Sequence, residues 1–445
     1  MGTWTIAAVA ALVLVYAAGS RRLDGSLVTP AIFFTFAGLA AGPGLGLVDL
    51  PPRGEEVKVL AEATLTLVLF ADASRISLRE LRRGYSMPLR LLGVGLPLTI
   101  VAGTLVGAGV LPHVSFAEAL VLAVVLACTD AALGRAVVTD PRLPSLIRQG
   151  LNVESGLNDG ICVPLFFIAI GLAEADADTV STHYAVHLVL EEIGYGTLAG
   201  VIAGVGAAVV ERRAIRRGWA YGEWIQVLTF AAAVFAAGLA LGFGGSIFIA
   251  SFVAGLLFGT LRHGSGGEVA HFLEQGSDVL NAVTFVVFGA VILGPALHHL
   301  TWQAVIYAVL SVTAVRMLPV AVALVRSGAE RPTVAFVGWF GPRGLASIVF
   351  GVLLVDEADL PHAQTLLVAI ALTVALSVVA HGLSAAPLTG RYVAWYTRRT
   401  GRSPSPIESR PTFEHRVRAL VGIPHPASAS STEAQRTRDA DLTAG

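Results

Sequence analysis

The run NVESGLNDGICVPLFF, Asn152 to Phe167, places Glu154, Ser155, Asn158 and Asp159 at the head of a long apolar stretch. Glu154 and Asn158 are four apart, as are Ser155 and Asp159. At 100° per residue the four fall within about 140° of one helix face. Hard oxygen donors grouped this way suit a small monovalent cation, and a carboxylate among them can hold a proton instead. Three more stretches carry polarity inside apolar runs. CTDAALG, Cys128 to Gly134, holds Thr129 and Asp130; GWFGPRGLAS, Gly338 to Ser347, holds Arg343 among Gly341, Pro342 and Gly344; AVRMLPV holds Arg316, with Pro319 a turn on.

These residues need elements to position them, and composition says what those elements are. Mean hydropathy is +0.73 and 14% of residues are charged, against about a quarter in soluble domains. Apolar runs of about 20 residues, each enough to span a bilayer, recur along the chain. The expected class is an all-α polytopic membrane protein in the lipid bilayer of a cell (inner) membrane. Thirteen spans are expected, near 3–20, 27–49, 57–74, 87–110, 116–138, 150–172, 187–210, 222–243, 245–261, 277–295, 301–325, 332–355 and 362–387. Loops rich in arginine (Arg21 and Arg22; Arg75, Arg79, Arg82, Arg83 and Arg90; Arg142 and Arg148; Arg212 to Arg217; Arg326 and Arg331) alternate with neutral or acidic ones such as AEADADTVSTH. The positive-inside rule then puts the N-terminus outside and the C-terminus in the cytoplasm. No basic residue precedes the first apolar stretch and Arg21 and Arg22 follow it, which favours a retained first helix over a cleaved signal peptide.

The domain division expected is a membrane domain over 1–390 and a cytoplasmic tail over 391–445, mostly disordered because its Ser, Pro, Thr and Ala cannot bury a core. Net charge is −1, which gives no basis for nucleic-acid binding. Cys128 and Cys162 lie in apolar runs and read as packing residues, not as a disulfide or zinc site. Lys58 is the single lysine. Histidines such as His113, His298 and His299 fall in outer loops and carry no role.

Depth singles out the chemistry. At 1.5 Å per residue Asp159 lies about 14 Å into the sixth span, Thr129 and Asp130 about 18–20 Å into the fifth, and Arg343 about 16 Å into the twelfth, all near the middle of a roughly 30 Å core. Gly134 marks a break in the fifth span, and Pro342 with its flanking glycines marks one in the twelfth. An odd offset of seven makes the two cross in opposite directions, the pattern of an inverted-repeat transporter. Broken helices expose backbone at the midplane; Asp130 can answer the half-helix N-termini and Arg343 the C-termini. Glu154 is expected to pair with Arg316. Asp159 then lacks a fixed cationic partner and can alternate between H⁺ and a cation such as Na⁺ or Li⁺, with Thr129, Ser155, Asn158 and Glu154 supplying oxygens. One exchanging carboxylate beside neutral Asn158 predicts electroneutral exchange.

TDAALG at Thr129, ESGLNDG at Glu154, GWFGPRGLASIVF at Gly338 and LVLFADASRISLRELRR over Leu67 to Arg83 resemble the monovalent cation:proton antiporters, sodium/proton exchanger type, of the bacterial and archaeal electroneutral branch. The resemblance covers roughly residues 5–390. It implies thirteen helices, a homodimer, separate interface and ion-transporting bundles, alternating access, no cofactor and no enzymatic reaction. On it Asp159 is similar to the cation/proton carboxylate, with Thr129, Asp130, Ser155, Glu154 and Asn158 around it. Arg316 is similar to the partner of Glu154, and Arg343 to the charge at the helix crossing. The sequence departs from the family where Ala131 and Ala132 replace a Pro-Val pair, where Asp72, near the cytoplasmic mouth, replaces a glutamate, and where Leu157 replaces a bulkier residue. K⁺/H⁺ exchange stays open within transport; a cation channel or a transport-inactive sensor stays open outside it.

Overall fold

A computed structural model describes residues 4–23, 26–51, 53–76, 86–177, 182–262 and 271–400. The expected tail from 401 onward, and Arg79, Arg82 and Arg83 in the arginine-rich loop, lie outside the described residues. The described residues are helical, with no strand among them.

The helices are α1 (Thr5–Leu23), α2 (Pro30–Gly44), α3 (Glu55–Ser74), α4 (Ser86–Val110), α5 (Phe116–Val125), α6 (Arg135–Val138), α7 (Ser145–Asp176), α8 (Thr182–Arg216), α9 (Glu223–Phe243), α10 (Ile247–Leu261), α11 (His271–Val287, continued by a π-helical turn Phe288–Leu293 and by Gly294–His298), α12 (Trp302–Ala323), α13 (Arg331–Trp339), α14 (Leu345–Glu357) and α15 (Ala363–Thr400). Each of the thirteen expected segments holds helix. Eight helices are long and apolar enough to cross a membrane, and shorter apolar helices accompany them. Two of the expected spans are each split, into α5 with α6 and into α13 with α14.

Two bundles form. α1–α3 and α8–α11 pack mainly on one another, as do α4–α7 and α12–α15; the bundles meet where α3, α8 and α10 pack against α7, α3 against α14, and α2 and α11 against α15. Two ion pairs also cross this junction. Lys58 on α3 holds Asp356 on α14 at 2.8 Å, and Arg135 on α6 lies 3.8 Å from Asp278 on α11.

Local chemistry sets the ends of the elements that carry the site. Ser115 and Glu118 form a reciprocal capping box at the start of α5: Glu118 N–H donates to Ser115 Oγ (3.2 Å) and Ser115 N–H to Glu118 Oε2 (2.9 Å). That satisfies two of the donors a helix N-terminus leaves open. α13 stops at Trp339 because Pro342 has no N–H to continue the ladder. A side chain on Gly341 would meet the Arg316 guanidinium, and one on Gly344 would meet the Asp130 carboxylate. Both glycines are therefore required by close approach.

Several boundaries differ from the expected ones by five residues or more, and two of these bear on the site and the domain division. α7 begins at Ser145, five residues before the expected entry, because the Pro144 carbonyl accepts from Ile147 and Arg148 N–H groups and starts the first turn. α15 runs to Thr400, so residues 391–400 continue the helix beyond the expected domain boundary at 390. Side-chain docking supports that extension: the Tyr392 ring packs at a tilt on Phe336 of α13 (4.6 Å between centroids) and its hydroxyl lies 2.8 Å from Thr333 Oγ1, while Arg399 Nε donates to Glu330 (2.9 Å).

Candidate ion-exchange site

The two breaks cross and satisfy each other. Asp130 N–H donates to the Pro342 carbonyl (2.8 Å). The Asp130 carboxylate accepts from Leu345 N–H, the first residue of α14 (3.0 Å), and from Ala132 N–H (2.8 Å). It thus caps the positive end of one half-helix. Arg343 does the converse: Nη1 donates to the carbonyls of Ala127 and Cys128, 3.3 Å each, just past the end of α5. A charge facing a helix terminus of opposite sign stabilises by about 0.3–1 kcal/mol when exposed, and up to about 2 when partly buried. Arg343 is 0% exposed, so its charge is tolerated only because these carbonyls face it. Ser347 Oγ adds a bond to the Val125 carbonyl (2.8 Å).

The polar face of α7 lies against the first break. Ser155 Oγ donates to the Thr129 carbonyl. Asn158 Nδ2 donates to the Ala127 carbonyl (2.9 Å) and to Thr129 Oγ1 (3.3 Å), while Asn158 Oδ1 accepts from the Cys162 thiol (3.2 Å). A carbonyl can only accept, so the amide orientation follows from Ala127. Glu154 and Arg316 form a two-pronged pair, Nη1 to Oε1 at 2.6 Å and Nη2 to Oε2 at 2.9 Å, both residues buried.

Asp159 differs from these. It is buried, and its Oδ1 accepts no hydrogen bond among the described residues. A small cavity, with room for about one water, lies between the breaks and α7, lined by Thr129, Asp130, Glu154, Ser155, Phe340 and Pro342. Asp159 lies beyond this cavity, one turn further along α7 than Ser155. Asp72, at the end of α3, stands beside Gly156 and 3.9 Å from Arg75, which puts it one α7 turn from Asp159.

The structure therefore brings Thr129, Asp130, Glu154, Ser155, Asn158, Asp159, Arg316 and Arg343 together, with Asp72 at the margin. Sequence reasoning missed four residues. Cys162, read as packing, orients Asn158. Ser347 ties α14 to α5. Ser377 and His381, on α15, hold the second break: Ser377 Oγ accepts from Arg343 N–H (2.7 Å) and His381 Nε2 lies 2.8 Å from the Trp339 carbonyl. The signal was present, since His381 is an ionisable residue in an apolar span, four residues after Ser377.

Two discontinuous helices crossing beside a buried, partly unpartnered carboxylate define an inverted-repeat antiporter fold. The profile of the family described as "Sodium/hydrogen exchanger, transmembrane" matches residues 8–391, and the chain belongs to that family of multi-pass membrane proteins. It is 29% identical over 365 residues to the Na⁺/H⁺ antiporter NhaP of Pseudomonas aeruginosa, covering 76% of this chain and 82% of that one. It is 28% identical over 334 residues to a probable Na⁺/H⁺ antiporter of Schizosaccharomyces pombe, covering 71% of this chain but 44% of that longer protein. The fold matches the sodium proton antiporter MjNhaP1 of Methanocaldococcus jannaschii with a TM-score of 0.71 at 19% identity, covering 87% of this chain and 99% of that one.

Proposed function

We propose that this protein is a secondary active antiporter that exchanges Na⁺ or Li⁺ for H⁺, with the two ions competing for Asp159. The observation that carries the reading is the unpartnered Oδ1 of buried Asp159, beside charges that each face a fixed group of opposite sign: Glu154 with Arg316, Asp130 with the α14 N-terminus, Arg343 with the carbonyls beyond α5. A buried carboxylate without a fixed cationic partner has to be neutralised. A proton does this in one state and a monovalent cation in the other. Ser155, Thr129 and the exposed carbonyls of the break supply the neutral oxygens such a cation needs. Asn158 holds the break in place through its amide.

One exchanging carboxylate gives one H⁺ per cation, so exchange is electroneutral. The membrane domain crosses the bilayer thirteen times, N-terminus outside, and works as a homodimer by alternating access, serving pH homeostasis at the cell membrane. Relatives named as Na⁺/H⁺ antiporters support the choice of cation. The test is reconstitution into liposomes with an imposed pH gradient followed by a pH dye, adding NaCl, LiCl or KCl with and without valinomycin and K⁺ as a voltage clamp. Cation-triggered collapse that is lost in Asp159→Asn and insensitive to the clamp is expected. A response to K⁺ alone moves the reading to K⁺/H⁺ exchange, a clamp-dependent rate overturns electroneutrality, and an unaltered Asp159→Asn overturns the site.

A further inference from the structure

The second break, between α13 and α14, spans residues 340–344. The Trp339 carbonyl at its start accepts from Gly341 N–H inside the break (2.9 Å). Both ends of the break are also bonded to a single turn of α15. At one end the Trp339 carbonyl, the last of α13, faces His381 Nε2 at 2.8 Å. This oxygen can only accept, so Nε2 carries a hydrogen and donates it. At the other end Arg343 N–H donates to Ser377 Oγ at 2.7 Å. At the ring's other nitrogen, Nδ1, the Ser377 carbonyl lies at 2.9 Å and Ser377 Oγ at 3.2 Å. Polar contacts therefore run from Arg343 N–H through Ser377 and His381 to the Trp339 carbonyl.

Packing closes around these contacts. Ser377 is 0% exposed and His381 is 1% exposed. The His381 ring lies 5.1 Å from Trp339 and 6.4 Å from Phe340, and Trp339 Nε1 donates to Ser384 Oγ (2.8 Å), one turn beyond His381. The residues held between the two ends are those that build the site: Phe340 and Pro342 line the cavity, the Pro342 carbonyl holds Asp130, and the Arg343 guanidinium holds the carbonyls of Ala127 and Cys128.

We infer that His381 and Ser377 are positioning residues for ion exchange: one turn of α15 clamps both ends of the second break and sets the geometry of the helix crossing. The inference rests on the antiporter reading for its functional consequence, and on the hydrogen bonds alone for its structural part.

The test uses the full chain. His381→Phe keeps ring volume and removes both ring nitrogens; His381→Gln restores an N–H that can reach the Trp339 carbonyl; Ser377→Ala removes the acceptor of Arg343 N–H. In liposomes, His381→Phe is expected to lower the maximal rate of Na⁺-triggered exchange about tenfold, the size of one lost bond at a buried group, with the half-saturating Na⁺ concentration nearly unchanged. His381→Gln is expected to regain most of that rate. Hydrogen–deuterium exchange in detergent is the second arm and needs no transport. Amides of 339–345 are expected to exchange about tenfold faster in Ser377→Ala and His381→Phe, and near the wild-type rate in His381→Gln. Wild-type exchange rates at 339–345 in both disruptive variants overturn the clamp, as does a His381→Gln protein as impaired as His381→Phe. A wild-type protein that exchanges no cation sinks the antiporter reading instead, and the deuterium arm still decides the clamp.

Discussion

At the scale of single residues the site separates charge that is fixed from charge that can change. Glu154 and Arg316 are fixed by their two-pronged, buried contact. Removing one partner of such a pair strands the other, at a cost of about 3–5 kcal/mol. Glu154→Gln is therefore expected to lower the thermal unfolding midpoint sharply in detergent, and an unchanged midpoint would contradict the pairing. Asn158 bears on stoichiometry in a more specific way than its neutrality. Its Nδ2 donates to the Ala127 carbonyl, a contact an ionised carboxylate cannot make. An aspartate at this position keeps the contact only by staying protonated. Asn158→Asp is thus expected to exchange more slowly yet remain insensitive to a voltage clamp; clamp-dependent transport would show that both carboxylates exchange.

At the scale of elements, the crossing depends on caps supplied in trans. α14 starts on the Asp130 carboxylate, and the end of α5 is answered by Arg343. Gly344 is the point of closest approach, where an added Cβ would overlap Asp130 Oδ2 and come within 2.7 Å of Leu133. Gly344→Ala is expected to destabilise by about 1–3 kcal/mol through overpacking and to slow exchange, as read by thermal unfolding alongside the liposome assay. The other end of α5 has its own device. Glu118, inside the capping box, also accepts from His362 N–H (2.9 Å) at the start of α15. It joins the leading ends of the two elements that the crossing and its clamp require. Glu118→Ala removes these contacts and that of Oε2 with His362 Nδ1 (2.9 Å), and is expected to cost about 1–2 kcal/mol, measurable as a lower unfolding midpoint.

At the scale of the whole molecule, two bundles meet along α7 and α15, and among the described residues an ion pair bridges them toward either end. Lys58–Asp356 is short at 2.8 Å and Arg135–Asp278 longer at 3.8 Å. In the expected topology the first lies on the outer side and the second on the cytoplasmic side. On the proposed alternating access, a rocking of one bundle against the other is expected to stretch one pair while relaxing the other. Lys58 is the chain's single lysine, so an amine-reactive reagent reports on it almost alone. Asp356→Asn is expected to speed labelling of Lys58 severalfold, and Na⁺ gradients that favour the outward-open form are expected to do the same in the unmutated protein. Labelling indifferent to both would show that the pair does not follow the motion.

Much of this was legible in the sequence because the bilayer makes the code simple. Apolar runs of spanning length imply helices, since unpaired backbone is too costly in lipid, and an ionisable residue within such a run demands a partner or a role. Those rules located α7, both breaks and the residues Thr129, Asp130, Glu154, Asp159, Arg316 and Arg343 that meet there. What they do not carry is partner identity across distant segments. Asn158 presents its amide hydrogens and not its oxygen to the break because of where Ala127 and Cys162 lie. His381 reaches Trp339, 42 positions away, because α15 packs beside the second break. The break after α5 has no proline; bonds from Ser155, Asn158, Arg343 and Ser347 hold it open. Helix and burial are local consequences of composition, whereas the direction of each hydrogen bond is set by whichever segment packs alongside, and that is a property of the folded chain.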